Sequence, residues 1–270
     1  MIPVSHKKEG EQNEKIRIVF FDVDGTLIDM QKKQISEKTL EALRRLRENG
    51  VLICMATGRP PASLPKIDGV EFDAYLTCNG SLCYSGRDVI FSDPIPAEDV
   101  QKVIRNAAEL GRPVSVATGN RLAANGTDVD LADYYSLANL ELTVAEDFSE
   151  VSRQDVYQVM LGCREKDYPS ILKGVSGARI TASWDRAADV IPVNSGKGTG
   201  IQQILTHYHL SREEAIAFGD GNNDIEMLQS VGTGVAMENA SAQLKAVADD
   251  VCGHVAEDGI YHYCIQHGLI

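Results

Sequence analysis

The sequence predicts an α/β protein, a doubly wound parallel sheet that carries an inserted α+β domain. Three observations point there. Short, fully apolar segments alternate with amphipathic helical ones in both the first and last parts of the chain, as in parallel strands buried on both faces. Glycines and polar residues gather where those apolar segments end, at the edge where open α/β sheets bind ligands. Between the two alternating parts, about 100 residues follow a pattern closer to an antiparallel sheet, a length that suits a separate domain.

Residues 1–14 are polar, lack an apolar h-region and read as a solvated tail with no signal peptide. The run IRIVFF at 16–21 is a buried strand that stops at Asp22 and Gly25. Ser36 can N-cap a helix with Leu40, Leu43 and Leu46 on one side, and Gly50 suits its C-terminal end. VLICM at 51–55 is a second strand, and Pro60-Pro61 forbids an immediate helix after it. A third strand over 74–78 runs into the turn pair Asn79-Gly80. Residues 85–88 then look like a hairpin turn between 82–84 and 89–91. A helix over 97–110 ends at Gly111, a strand covers 114–118, and the stretch to about 150 is less regular. Strands over 156–161 and 178–183 flank a short helix near 168–173. The doubly wound pattern resumes with a helix over 197–208, a strand at 215–218, a helix at 223–229, a strand at 233–237 and a helix at 242–248. The expected division is a tail (1–14), a core domain (15–83 and 190–270) and an inserted domain (84–189).

Composition removes several function classes. The 270 residues carry 26 Lys and Arg against 39 Asp and Glu, a net charge of −13. That acidity argues against binding a nucleic acid polymer, which needs a basic face. It permits a small anionic ligand, provided the site supplies its own positive charge. The longest apolar runs, such as 51–56, are far below the ~20 residues of a membrane span, so no membrane partner is expected. The six cysteines (Cys54, Cys78, Cys83, Cys163, Cys252 and Cys264) form no C-x-x-C pair and mostly sit in apolar runs. They read as small core hydrophobes in a reduced, cytoplasmic protein.

The chemistry concentrates at strand ends. Asp22-Val23-Asp24-Gly25-Thr26 follows the first strand, with two carboxylates at i and i+2. Such a pair repels itself and calls for a cation or a shared proton. A solvated acidic turn is the plain alternative. A calcium loop fails on spacing, since the terminal bidentate Glu is missing and a strand precedes it. A magnesium-assisted nucleophile with an acid/base partner is the third reading. Three other strand or helix ends carry complementary groups. Thr57-Gly58 offers a hydroxyl and backbone N–H groups to a phosphate. Lys197, between Gly196 and Gly198, offers a cation at a helix N-terminus. Gly219-Asp220-Gly221-Asn222-Asn223-Asp224 offers two more carboxylates and amides. Taken singly these are ordinary: an exposed lysine, a turn threonine, helix-capping acids. Nor is the lysine segment a P-loop, because Ile191 stands where the upstream glycine is required. As an ordered set they are much harder to explain as solvated loops.

D-x-D-G-T, a Thr after the second strand, a Lys, then G-D-x-x-N-D, in that order, resembles the haloacid dehalogenase superfamily of phosphatases. The insertion between the Thr and Lys motifs resembles the α/β cap of its Cof-type subgroup, and the resemblance spans nearly the whole chain from Lys15. It implies a Rossmannoid core and a phosphoryl-transfer mechanism. Asp22 would be the nucleophile and form an aspartyl-phosphate, and Asp24 the acid and base for the leaving group and water. Mg2+ would be held by Asp22, the Asp24 carbonyl and Asp220. Thr57, Gly58, Lys197 and Asn223 would stabilise the phosphoryl oxygens, and Asp224 would orient Lys197 or bound water. Arg59 and Asn79 lie on core loops near the expected phosphate and would touch substrate, Arg59 as a further phosphate-binding residue. In the insertion, the polar loop 120–125 with Arg121 is a candidate for substrate contact against a plain surface reading. Trp184 reads as packing, and His207 and His209 as surface residues.

These readings make the chain a Mg2+-dependent phosphatase of small phosphorylated metabolites, sugar phosphates foremost, acting as a monomer or weak homo-oligomer. A phosphosugar mutase would use the same nucleophile and return the phosphoryl group to substrate. A receiver-type signalling domain joins similar residues but has about half the length and no insertion. A non-catalytic phospho-ligand binder is the remaining alternative, which a substrate panel separates.

Overall fold

The computed structural model describes residues 15–137, 140–182 and 184–270. The expected tail at 1–14 and the last residue of the strand expected over 178–183 lie outside them. The chain forms two sheets. The first part gives β1 (Ile18–Phe21), α1 (Glu37–Glu48), β2 (Leu52–Ala56), β3 (Ala74–Thr77), β4 (Leu82–Ser85) and β5 (Asp88–Ser92). The middle gives α2 (Ala97–Glu109), β6 (Val114–Ala117), β7 (Leu122–Ala124), α3 (Val129–Leu137), α4 (Phe148–Val151), β8 (Gln158–Gly162), α5 (Tyr168–Ile171), β9 (Ala178–Thr181) and β10 (Ala187–Pro192). The last part gives α6 (Lys197–His207), β11 (Ala215–Gly219), α7 (Ile225–Leu228), β12 (Thr233–Ala236), α8 (Ala242–Val247), β13 (Asp250–Val251) and α9 (Gly259–Gln266).

The large sheet has the order β13-β12-β11-β1-β2-β3-β4-β5. Its first six strands in that order run parallel, while β4 and β5 are antiparallel. Alternate residues of its central strands feed two cores. Val19, Phe21, Ile53, Met55, Ile216 and Phe218 face one side, where Leu43 and Leu46 of α1 and Ile260 and Tyr263 of α9 cover them. Ile18, Phe20, Cys54, Ala56 and Ala217 face the other, under Ile201, Ile204 and Leu205 of α6. Burial on both faces is why these strands read as unbroken apolar runs. The Phe21 and Phe218 rings stack at 5.4 Å across the β1–β11 pair. Ser36 caps α1 by accepting from the Thr39 N–H at 3.1 Å.

The small sheet, β7-β6-β8-β10-β9, is antiparallel throughout. It packs a separate core, with Val100 and Val103 of α2 against Val116, Val159 and Val190. The hairpin β4–β5 belongs to the large sheet and β10 to the small one, so divisions at residues 84 and 189 fall inside strands. The chain leaves the large sheet after Ser92 and is free of the small one after Pro192. Beside these two crossings the Ser195 hydroxyl donates to Asp93 Oδ2 at 2.7 Å. Among the described residues, no helix is long and apolar enough to cross a membrane.

Candidate active site

The parallel strands of the centre deliver the residues just past their ends to one edge. Asp22 follows β1 and continues its ladder, donating its N–H to the Phe218 carbonyl at 2.9 Å. Thr57 follows β2, Asn79 lies just past β3 and Asp220 follows β11. Gly25 turns the first loop with φ +91, and a Cβ there would lie 2.2 Å from Asp220 Oδ2. Only glycine lets the two acidic loops approach this closely. Gly80 does the same for the third loop: its φ is +94, and a Cβ would meet the Gly196 carbonyl oxygen at 2.1 Å.

Lys197, the first residue of α6, has a fully buried side chain. Its Nζ donates to Asp22 Oδ1 at 2.6 Å and to Asp224 Oδ1 at 2.5 Å. Burial alone would lower the lysine pKa, but Asp22 and Asp224 outweigh it and hold the ammonium charged. The other Asp224 oxygen accepts the Asp220 and Gly221 N–H groups at 3.0 Å each, so Asp224 fixes the loop that presents Asp220. Asp220 Oδ1 accepts from the Thr26 hydroxyl at 3.0 Å. Oxygens of Asp22, Asp220 and Asp224 lie within 4.8 Å of one another. Burial pushes the Asp22 carboxyl up, and repulsion from Asp224 adds to it. Burial and then repulsion from Asp22 do the same to Asp220. Three carboxylates against one ammonium leave negative charge uncompensated in a buried place, and all the donors are hard oxygens. That donor set fits a small divalent cation. Both Asp224 oxygens already have partners, which leaves Asp22 and Asp220 as the side chains with capacity to hold one.

Asp24 points elsewhere. Its carboxylate makes a bidentate pair with Arg59, Nε to Oδ2 at 2.7 Å and Nη2 to Oδ1 at 2.6 Å. Arg59 also donates from Nη1 to the Ser63 carbonyl, and its N–H to Thr57 Oγ1 at 3.0 Å. Asn223 Nδ2 donates to Asn79 Oδ1 at 3.2 Å. Asn79, held in the left-handed region at φ 53, donates in turn to Gln158 Oε1 at 3.2 Å and Asp189 Oδ2 at 3.1 Å. Tyr134 completes the chain by donating to Asp189 Oδ1 at 2.7 Å. A line of buried polar groups therefore runs from the large sheet's edge into the small sheet. Burial pushes the Asp189 carboxyl up to about 7 despite these hydrogen bonds.

A cavity of about 240 Å3 opens between the sheets. Asp22, Asp24, Thr57, Gly58, Arg59, Asp220 and Asn223 line its large-sheet side. Lys197 lies behind it and, with Asn79 and Asn223, lines an adjoining cavity, while Asp224 is wholly buried. The opposite wall holds residues that sequence reasoning did not single out: Tyr134, Met160 and Asp189. The available signal was a charged Asp189 inside the apolar run 187–192. Trp184 is not simple packing, since it lines the cavity with Arg186 over its ring at 4.1 Å. Arg121 is committed to Asp147 in an exposed bidentate pair at 2.6 and 2.7 Å and is not on this wall. His207 and His209 are exposed.

The model of the haloacid dehalogenase-like hydrolases matches residues 19–264. An HMP-PP phosphatase of Escherichia coli O157:H7 is 30% identical over 266 residues, covering 94% of this chain and 96% of its own. A 5-amino-6-(5-phospho-D-ribitylamino)uracil phosphatase of Bacillus subtilis (strain 168) is 28% identical, covering 93% and 97%. Among solved structures, a subclass IIB sugar phosphatase of the same superfamily superposes with a TM-score of 0.88 at 30% identity, covering 94% of this chain and all of that one. A phosphatase from Bacteroides thetaiotaomicron does so with a TM-score of 0.87 at 29% identity, covering 98% and 100%.

Proposed function

Because the chain belongs to the haloacid dehalogenase-like hydrolase family, we propose that it is a cytoplasmic, Mg2+-dependent phosphatase of small phosphorylated metabolites. The observation that carries this reading is the buried Lys197 ammonium set between Asp22 and Asp224, with Asp220 beside them and a cavity in front. The six free cysteines, all buried, suit a reducing compartment.

Asp22 is the nucleophile. Its carboxylate oxygen forms a bond to phosphorus in line with the breaking ester bond, giving an aspartyl-phosphate and a leaving alkoxide. Asp24 delivers a proton to that alkoxide, then takes one from the water that hydrolyses the aspartyl-phosphate. Its pair with Arg59 must part for that transfer. Thr57, the Gly58 N–H, Arg59 and Asn223 would stabilise the charge that develops on the phosphoryl oxygens from the cavity wall, and Lys197 from behind Asp22. Asp224 holds Lys197 and the Asp220 loop in place. Asp22, Asp220 and the Asp24 carbonyl would hold Mg2+, which supplies charge neutralisation between the nucleophile and the phosphate dianion when bound. Residues 93–192 form the cap, residues 15–92 and 193–270 the core, and the cap wall excludes water from the cavity. On the leaving-group side, sugar phosphates and other metabolites would be told apart by that wall.

The test is release of inorganic phosphate from a panel of phosphate esters. Activity is expected with Mg2+, lost on EDTA treatment and restored by added Mg2+. Asp22→Asn is expected to reduce turnover by at least a thousandfold with an unchanged circular-dichroism spectrum. Metal-independent turnover, or turnover by that variant, would overturn the reading.

A further inference from the structure

The cap side of the cavity differs in kind from the phosphate side. Its wall is aromatic and apolar, built from Tyr134, Trp184, Met160 and Leu140, with Asp189 its one charged group among the described residues. A polyhydroxylated leaving group would lose hydrogen bonds to water and find few replacements on such a wall. The rings are held in place. The Tyr134 hydroxyl is tied to Asp189, and the Trp184 plane is covered on one face by Arg186. The two rings stand 6.5 Å apart between centroids, inclined by 36°. Two aromatic faces so arranged offer van der Waals contact to a flat partner.

Charge narrows the choice further. Among the described residues lining the cavity, Arg59 is the one cation, and it sits on the phosphate side paired with Asp24. A second phosphate or a carboxylate on the leaving group would face the Asp189 carboxyl, and the nearby Arg186 lies over Trp184 and is already paired with Asp133. Asp189 accepts from Tyr134 and Asn79, with the Gln158 amide beside it, and a carboxylate has lone pairs for a further donor. Size sets the last limit. At about 240 Å3 the cavity falls below the ~300–1,000 Å3 of sites for drug-sized ligands, which restricts the leaving group to about one ring.

We propose that this wall binds a single flat heteroaromatic ring bearing a hydrogen-bond donor or a positive charge, with Tyr134, Trp184 and Met160 against its faces and Asp189 accepting from its donor. The proposal rests on the phosphatase reading, because it assumes that a phosphate sits against Asp22. Trp184 is the chain's sole tryptophan, so its emission reports on the wall directly.

The full chain with Mg2+ is titrated with pyridoxamine 5′-phosphate and, separately, with glucose 6-phosphate and 3-phosphoglycerate, following tryptophan emission and phosphate release. Saturable quenching is expected with the pyridoxamine ester only, together with a kcat/KM at least tenfold above that for glucose 6-phosphate and lowest for 3-phosphoglycerate. Trp184→Ala should shrink the ring-over-sugar preference at least tenfold. The isosteric Asp189→Asn should raise KM for the pyridoxamine ester at least fivefold. Absent quenching, or equal quenching by glucose 6-phosphate, overturns the proposal whether or not phosphate is released. Saturable quenching without phosphate release from any ester supports the ring site and overturns the phosphatase reading alone.

Discussion

Lys197 illustrates how much one residue depends on its setting. In sequence it is a lysine between two glycines; in the fold its ammonium is buried between two carboxylates. Removing a partner from such a group is costly, because the remaining charge stays buried and unpaired. The strand-end acids Asp22, Asp24 and Asp220 were legible because apolar runs ending in acids and glycines mark a functional edge. Asp24's commitment to Arg59 was not legible, since it depends on how the turn at Thr57 aims the guanidinium. Gly25 gives a sharp test at this scale. Gly25→Ala must strain the backbone at φ +91 and displace the Asp220 carboxylate from 2.2 Å. Backbone strain of this kind costs about 1–3 kcal/mol. We expect a lower melting temperature and at least a tenfold loss of phosphate release, read by calorimetry and a phosphate assay; unchanged values would show that the two loops do not need this approach.

The core strands and α1 were readable because burial on both sheet faces writes an apolar run and a cap writes a Ser. β10 was not read: its AADVIP places Asp189 and Pro192 in a run otherwise apolar. Asp189 is tolerated there because Tyr134 and Asn79, far off in sequence, donate to it. α9 begins on Gly259 and α3 carries Asp130 and Asp133, so neither shows a clean helical stripe. Expected helix 223–229 splits into a 3-10 turn at Asn222–Asp224 and α7, because Asp224 turns inward to its loop. β10 also yields a pH prediction. An unfolded aspartate titrates near ~4, whereas folded Asp189 titrates at about 7. Between these values the folded chain keeps a proton that the unfolded chain has lost, so this group's contribution to stability falls as pH rises and levels off above 7. Asp189→Asn removes that term while other acids stay common to both proteins. The melting temperature of the variant relative to the parent should therefore rise from pH 4 to pH 7 and then level, and a flat difference would contradict a buried, raised Asp189.

For the molecule as a whole, metal binding and folding should be linked. A ligand that binds only the folded state at about 100 times its Kd stabilises by about 2.7 kcal/mol, which for a chain of this size is roughly 5–10 °C in melting temperature. Mg2+ should produce such a rise in the parent and none in Asp220→Asn, measured by thermal scans at fixed protein concentration. The order of the large sheet carries another consequence. β1 lies at its centre, yet it pairs with β11 from Ile18↔Ala215 onward, so Asp22 meets Asp220 only across an excursion of nearly the whole chain. Closing so long a loop is entropically unfavourable. The small sheet eases it: once folded on its own core it holds Asp93 beside Ser195, and the effective loop becomes short. Loop entropy thus favours assembly in which the insert forms before the central pairing. A chain emerging from the ribosome presents Asp22 long before Asp220, so the two acids can meet only after residue 220 has left it and the final segment has docked.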